Sequence, residues 1–153
     1  MYPGITSFRE SITSKAKANG IIEMGLGSII KVDSIQRDER TVFNSQSQFW
    51  SILTLIALGK MHYEIQKADM QGKVKIVNTI YDAIYMEVLE DPSTIKWANE
   101  ALVKCMNVDF LTNQKVHNDA ECDLGYNLAD SFTLSKTASV ADIEATITKL
   151  KEA

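Results

Sequence analysis

Proline is nearly missing from this chain, with two residues in 153, and glycine is held to seven. That scarcity excludes a collagen-like repeat and the Pro/Gly-rich composition of low-complexity segments. Cysteine is equally scarce. Cys105 and Cys122 are the full complement, 17 positions apart, a spacing that matches neither a C-x-x-C redox motif nor a zinc knuckle. Reduced, buried thiols are therefore expected. Positive charge is also short, since 16 Lys and Arg stand against 20 Asp and Glu for a net charge of −4. This argues against a protein that tracks nucleic-acid phosphates. Long apolar runs are lacking too. The longest, residues 52–58, is far too short to span a bilayer. The first twenty residues alternate polar and apolar types and carry Glu10, where a signal peptide needs a continuous apolar stretch. The expected location is the cytoplasm, or a virion if the source is viral. No membrane partner is expected, and no nucleic acid as main partner.

What the chain does contain is the balance of one ordinary soluble domain, with 45% apolar and 24% charged residues. At this length roughly two-thirds of the unfolded surface can leave water, so a core needs neither metal nor disulfides. The charges are unevenly spread. Residues 1–77 hold 10 basic and 7 acidic side chains, whereas residues 78–153 hold 6 and 13. If folding keeps these halves apart, the basic side of one copy can meet the acidic side of the next in a head-to-tail contact. The simpler reading is chance clustering on a solvated surface.

Periodicity gives the organisation. Residues 5–18 place Ile5, Phe8, Ile12 and Ala16 at helical steps, with Asn19-Gly20 as a stop. In IIEMGLGSIIKV, residues 21–32, two β-branched runs flank Gly25 and Gly27, which predicts a hairpin. A phosphate loop is the competing reading of those glycines, but the further glycine and the Gly-Lys-Ser/Thr it requires are missing. Residues 34–40 are charged and read as an exposed connection. A long helix is then predicted from Asn44 or Ser45 to about Ala68, apolar nearly all round, and so buried on all sides by its own core or by a neighbouring subunit.

Residues 71–90 carry Val74, Val77, Ile80, Tyr81, Ile84 and Val88 on a helical stripe and are read as a third helix. Asp91 as N-cap and Pro92 at the first helical position open a fourth, to about Asn107. Residues 108–137 keep no period and are expected to be loop-rich with at most one short helix. Ser139-Val140-Ala141-Asp142 opens the last helix with a capping-box pattern, Val140, Ile143, Ile147 and Leu150 forming its face. The fold class expected is mainly α: a helical bundle of four to five helices with a small N-terminal β-hairpin. It forms a single domain over 1–153. Residues 1–40 are a helix-plus-hairpin arm, 41–107 the helical core, 108–138 the loop-rich region and 139–153 the C-terminal helix.

Chemistry is thinly signalled. Asp119, Glu121, Asp123, Asn127 and Asp130 fall at the first, third, fifth, ninth and twelfth positions of a calcium loop. The turn glycine comes one place late at Gly125, and the bidentate Glu is an Asp, so a solvated acidic loop is the simpler reading. A transition-metal site on His117 and Cys122 lacks further ligands, His62 being the other histidine. Neither cysteine has a basic sequence neighbour that would activate it, and no Gly-x-Ser-x-Gly elbow occurs. No cofactor, metal or catalytic residue is assigned. Trp50 and Trp97 read as core or interface anchors.

The expectation is therefore a non-enzymatic structural or adaptor subunit of a larger assembly. Its narrower form is a head-to-tail connector or ring component of a virion, and its partners are other copies of itself and other protein subunits. Gly25, Gly27, Phe49, Trp50, Leu55 and Met61 are the interface candidates. Two other classes compete: a small monomeric or dimeric protein-binding regulatory module, which needs one exposed apolar patch, and an enzyme whose site is assembled from distant residues such as Glu64, His62 or His117.

Overall fold

The computed structural model describes residues 4–25, 27–31, 44, 48–107 and 119–152, with only the backbone of Met24, Gly25, Phe49 and Trp50. The expected connection at 34–40, the alternative cap Ser45, residues 108–118 and His117 lie outside the described residues. Two compact units form, residues 1–52 and 53–153.

In the first unit, helix α1 (Ile5–Asn19) precedes strands β1 (Ile21–Gly25) and β2 (Ser28–Lys31), the N-terminal hairpin expected from the sequence. Gly20 ends the helix in the left-handed region at φ +65°, its N–H donating to the Ala16 carbonyl at 2.9 Å. Ala16 and Ile22 are buried against each other, with Ile12 and Ile30 partly covered. Ile5 and Phe8, at the start of the stripe, stay exposed.

The second unit departs from the helical bundle. The sequence expectation of four to five helices with one hairpin is overturned, because the described residues hold four helices and three two-stranded antiparallel sheets, a mixed α and β arrangement. Helix α2 (Phe49–Lys67), all but its first four residues in this unit, is the long helix expected. It closes with the Met70 N–H on the Ile65 carbonyl at 3.0 Å and the Asp69 N–H on Gln66 at 3.2 Å, Asp69 taking φ +55°. This is the Schellman arrangement.

Residues read as a third helix instead form strands β3 (Val74–Ile80) and β4 (Ala83–Val88). The physical reason lies in the side chains. Val74, Ile76, Thr79, Ile84, Tyr85 and Val88 are β-branched or aromatic types that lose χ1 freedom in a helix and fit a pleated surface. The apolar positions facing the core are Val74 and Ile76 with their partners Val88 and Met86, a period of two. Val74 and Val88 belong to both the helical and the strand pattern, so the stripe alone could not separate them. The turn, Tyr81-Asp82, is also not one of the Asn-Gly or Asp-Gly pairs that announce a hairpin.

Helix α3 (Pro92–Met106) lies between two clusters. Ala98, Leu102 and Cys105 pack with Met61 and Ile65 of α2 and with Val74, whereas Ile95 packs with Leu134, Ala138, Ile143 and Ile147. Its start is as expected, since the Asp91 carboxylate accepts from the Thr94 N–H at 2.8 Å and from the Thr94 hydroxyl at 2.7 Å, with Pro92 following. Helix α4 (Val140–Glu152) carries the expected capping box. Asp142 accepts from the Ser139 N–H and hydroxyl, and the Asp142 N–H donates back to the Ser139 Oγ at 3.2 Å. These hydrogen bonds hold both cap carboxyls below the ordinary aspartate range. The stability they supply is present above that range and is lost as pH falls through the lowered values.

The region expected to be loop-rich holds a third hairpin, β5 (Cys122–Gly125) paired with β6 (Ser131–Leu134). Its signal was short, four residues per strand around a polar loop. Gly125 is fixed by packing, because a Cβ there would lie 2.4 Å from the Asp130 carbonyl oxygen and 2.9 Å from that of Asn127. Gly125→Ala forces the loop open and is expected to lower stability by about 1–3 kcal/mol, the usual range for overpacking. Urea denaturation of the two proteins measures it.

Candidate interaction site

The calcium-loop spacing does not gather its ligands. Asp123 lies on β5 and accepts from the Thr133 hydroxyl at 2.7 Å, and Asp119 pairs with Lys136. Asn127 turns its Oδ1 onto the Ala129 and Asp130 N–H groups, both at 2.7 Å. Among the described residues no three His, Cys, Asp or Glu side chains come together. His62 is exposed on α2.

The two thiols are free. Burial, reinforced by Glu64, pushes the Cys105 thiol up, and burial beside Asp123 pushes that of Cys122 up to about 11. Both are protonated at neutral pH and neither is an activated nucleophile.

Two features of the second unit stand open to water instead. The first is the distal end of hairpin β3–β4. Ile76 pairs with Met86 and Asn78 with Tyr85, so Val77 is the extra residue of a β-bulge. The bulge leaves Val77 and Ile80 facing water at 54% and 41% exposure. Tyr81 and Asp82 form the two-residue turn between the Ile80–Ala83 pair. Tyr81 stands at φ +55° and is 89% exposed. A bulky aromatic at positive φ is an outlier, because its Cβ crowds the backbone there.

The second feature is an open groove of 560 Å³ lined by Ile56, Gly59, Lys60, Tyr63 and Glu64 of α2 and by Lys104 and Cys105 of α3. Its floor carries the buried Cys105. Its rim carries charge, with Lys104 Nζ 3.7 Å from Glu64 Oε1. Among the described residues, a Cβ on Gly59 would meet nothing within 4 Å.

No family model, no curated protein and no solved structure matches this chain. Of the interface candidates, Met61 is 0% exposed and sits in the core with Ile65 and Leu102, so it faces the interior of its own unit. Leu55 is 59% exposed. Gly25 ends β1, and Gly27 occupies the turn at φ +77°. The side chains of Phe49 and Trp50 lie outside the described residues, and Trp97 packs half-buried against the core. Helix α2 is not covered all round, since Leu55 and Tyr63 are exposed opposite its buried Leu53, Ala57, Met61 and Ile65.

Within the second unit, Glu64 of the basic half of the sequence pairs with Lys104 of the acidic half. Sequence reasoning missed the tip of β3–β4 because it placed Val77 and Ile80 on the buried stripe of a helix. The groove left a trace in Gly59, a glycine in mid-helix that has no turn to make. No helix among the described residues is long and apolar enough to cross a membrane.

Proposed function

We propose that this chain is a non-enzymatic structural subunit that associates with other copies of itself through the end of hairpin β3–β4. The observation that carries the reading is Tyr81, held at positive φ with 89% of its surface in water beside exposed Val77 and Ile80. Backbone strain costs stability and clusters at functional positions. Tyrosine is also among the residues enriched at the energetic centres of interfaces.

The reading predicts opposite effects of one substitution. In Tyr81→Gly, relief of left-handed strain, about 1–2 kcal/mol, outweighs the added chain entropy of glycine, about 0.5–1 kcal/mol. The isolated chain is expected to melt at a higher temperature while its self-association weakens. Calorimetry and sedimentation equilibrium on the same samples measure both. Unchanged association with a raised melting temperature removes the hairpin from the contact.

A further inference from the structure

We infer that Asn19-Gly20 is a spontaneous modification site, an asparagine that converts to aspartate and isoaspartate when the last turn of α1 opens, and whose conversion unties that helix from hairpin β1–β2. This is the single Asn-Gly pair in the sequence. Both residues are exposed to water. In the reaction the Gly20 amide nitrogen loses its proton and bonds to Cγ of Asn19, while the bond from Cγ to Nδ2 breaks and the side-chain nitrogen leaves as ammonia. A cyclic imide results. Water then cleaves one of the bonds from the ring nitrogen to its carbonyl carbons, giving either an aspartate or an isoaspartate, whose main chain runs through the former side chain. Glycine favours the step because no side chain crowds its nitrogen.

The fold holds this reaction shut. Gly20 caps α1 at φ +65°, and its N–H donates to the Ala16 carbonyl at 2.9 Å, so the attacking nitrogen is tied into the helix. Asn19 is the last helical residue, and helical geometry tilts its Cβ back towards the N-terminus, away from that nitrogen. Ala16 and Ile22, both buried, pack across the same step and keep the turn closed. Conversion therefore waits for local opening of this turn. Its products do not fit back. Isoaspartate lengthens the chain by a methylene between Ala16 and Ile22, and either acid sets a negative charge at the negative end of the helix dipole, which Lys17 in the last turn offsets only in part.

The test follows the full chain by peptide mass spectrometry with isoaspartate detection, in buffer and in urea at the same pH and temperature. Conversion at Asn19 is expected to be at least about tenfold slower in buffer, because a closed local unit protects what it holds. Ile22→Ala removes the packing across the turn and is expected to speed conversion in buffer while leaving the rate in urea unchanged. A rate that is the same in buffer and in urea, or one that Ile22→Ala leaves unchanged in buffer, overturns the gate. No conversion in urea overturns the site. Hydrogen exchange of the aged chain reads the consequence, with Asn19→Gln aged alongside as the control that cannot form the same ring. Faster exchange across β1 and β2 in the isoaspartate form is expected, and protection equal to that of the control overturns the untying of the hairpin.

Discussion

Met61→Ala is expected to destabilise the chain by about 2–5 kcal/mol, the range for truncating a fully buried large apolar side chain. Met61 has no exposed surface and touches the cluster in which α2, α3 and β3 meet, with Ile65, Val74, Ala98, Leu102 and Cys105 around it. Those neighbours come from three elements whose own packing fixes their positions, so they cannot collapse fully into the space left behind. The loss is therefore a transfer term plus a cavity term. Six residues earlier on α2, Leu55 is 59% exposed, and Leu55→Ala is expected to change stability by no more than about 0.5 kcal/mol. Urea denaturation of the three proteins compares them directly. Equal effects at 55 and 61 contradict the orientation of α2.

Asn99→Asp is expected to cost about 3–5 kcal/mol at neutral pH, the penalty for a buried charge without compensation, although it changes one atom of the side chain. Asn99 is 1% exposed on α3, and its Nδ2 donates to the Ser135 carbonyl at 2.9 Å. Its Oδ1 has no hydrogen-bond partner among the described residues. An ionised carboxylate there would face the Ser135 carbonyl oxygen, acceptor against acceptor, where the amide donates.

The new carboxyl is accordingly held above its unfolded value of about 3.9 by desolvation. The sign of the pH dependence follows. Below that unfolded value the group is protonated in both states, and the neutral acid can still donate to Ser135, so the deficit is smallest. The deficit grows as pH rises towards the folded-state value. Denaturation of wild type and variant at pH 4.5 and 7.5 reads this directly. A deficit that is the same at both values would place Asn99 in contact with water.

How much of this was legible in the sequence follows from which forces are local. The ends of α3 and α4 were readable because caps are local chemistry, Asp91 with Thr94 and Ser139 with Asp142 closing over three residues. The N-terminal hairpin was readable because its glycines mark a turn. Hairpin β3–β4 was not, because Val74, Val77, Ile80, Ile84 and Val88 satisfy a helical stripe that only the tertiary choice of Ile76 and Met86 as inward residues overrides. That one misreading hid the candidate site, since it buried the positions that the fold exposes. Met61 was misplaced for a related reason. A helix rich in apolar residues on two sides does not say which side the core takes. In α2 the core takes the line of Leu53, Ala57, Met61 and Ile65.

The central claim is that copies of this chain bind one another through an apolar anchor flanked by charge. Its most direct test is the solution mass by light scattering across a wide concentration range at low and high salt. A mass rising above the 17.1 kDa of one chain is predicted, with association weaker at high salt, where exposed charges are screened. A mass of one chain at every concentration and both salts contradicts it.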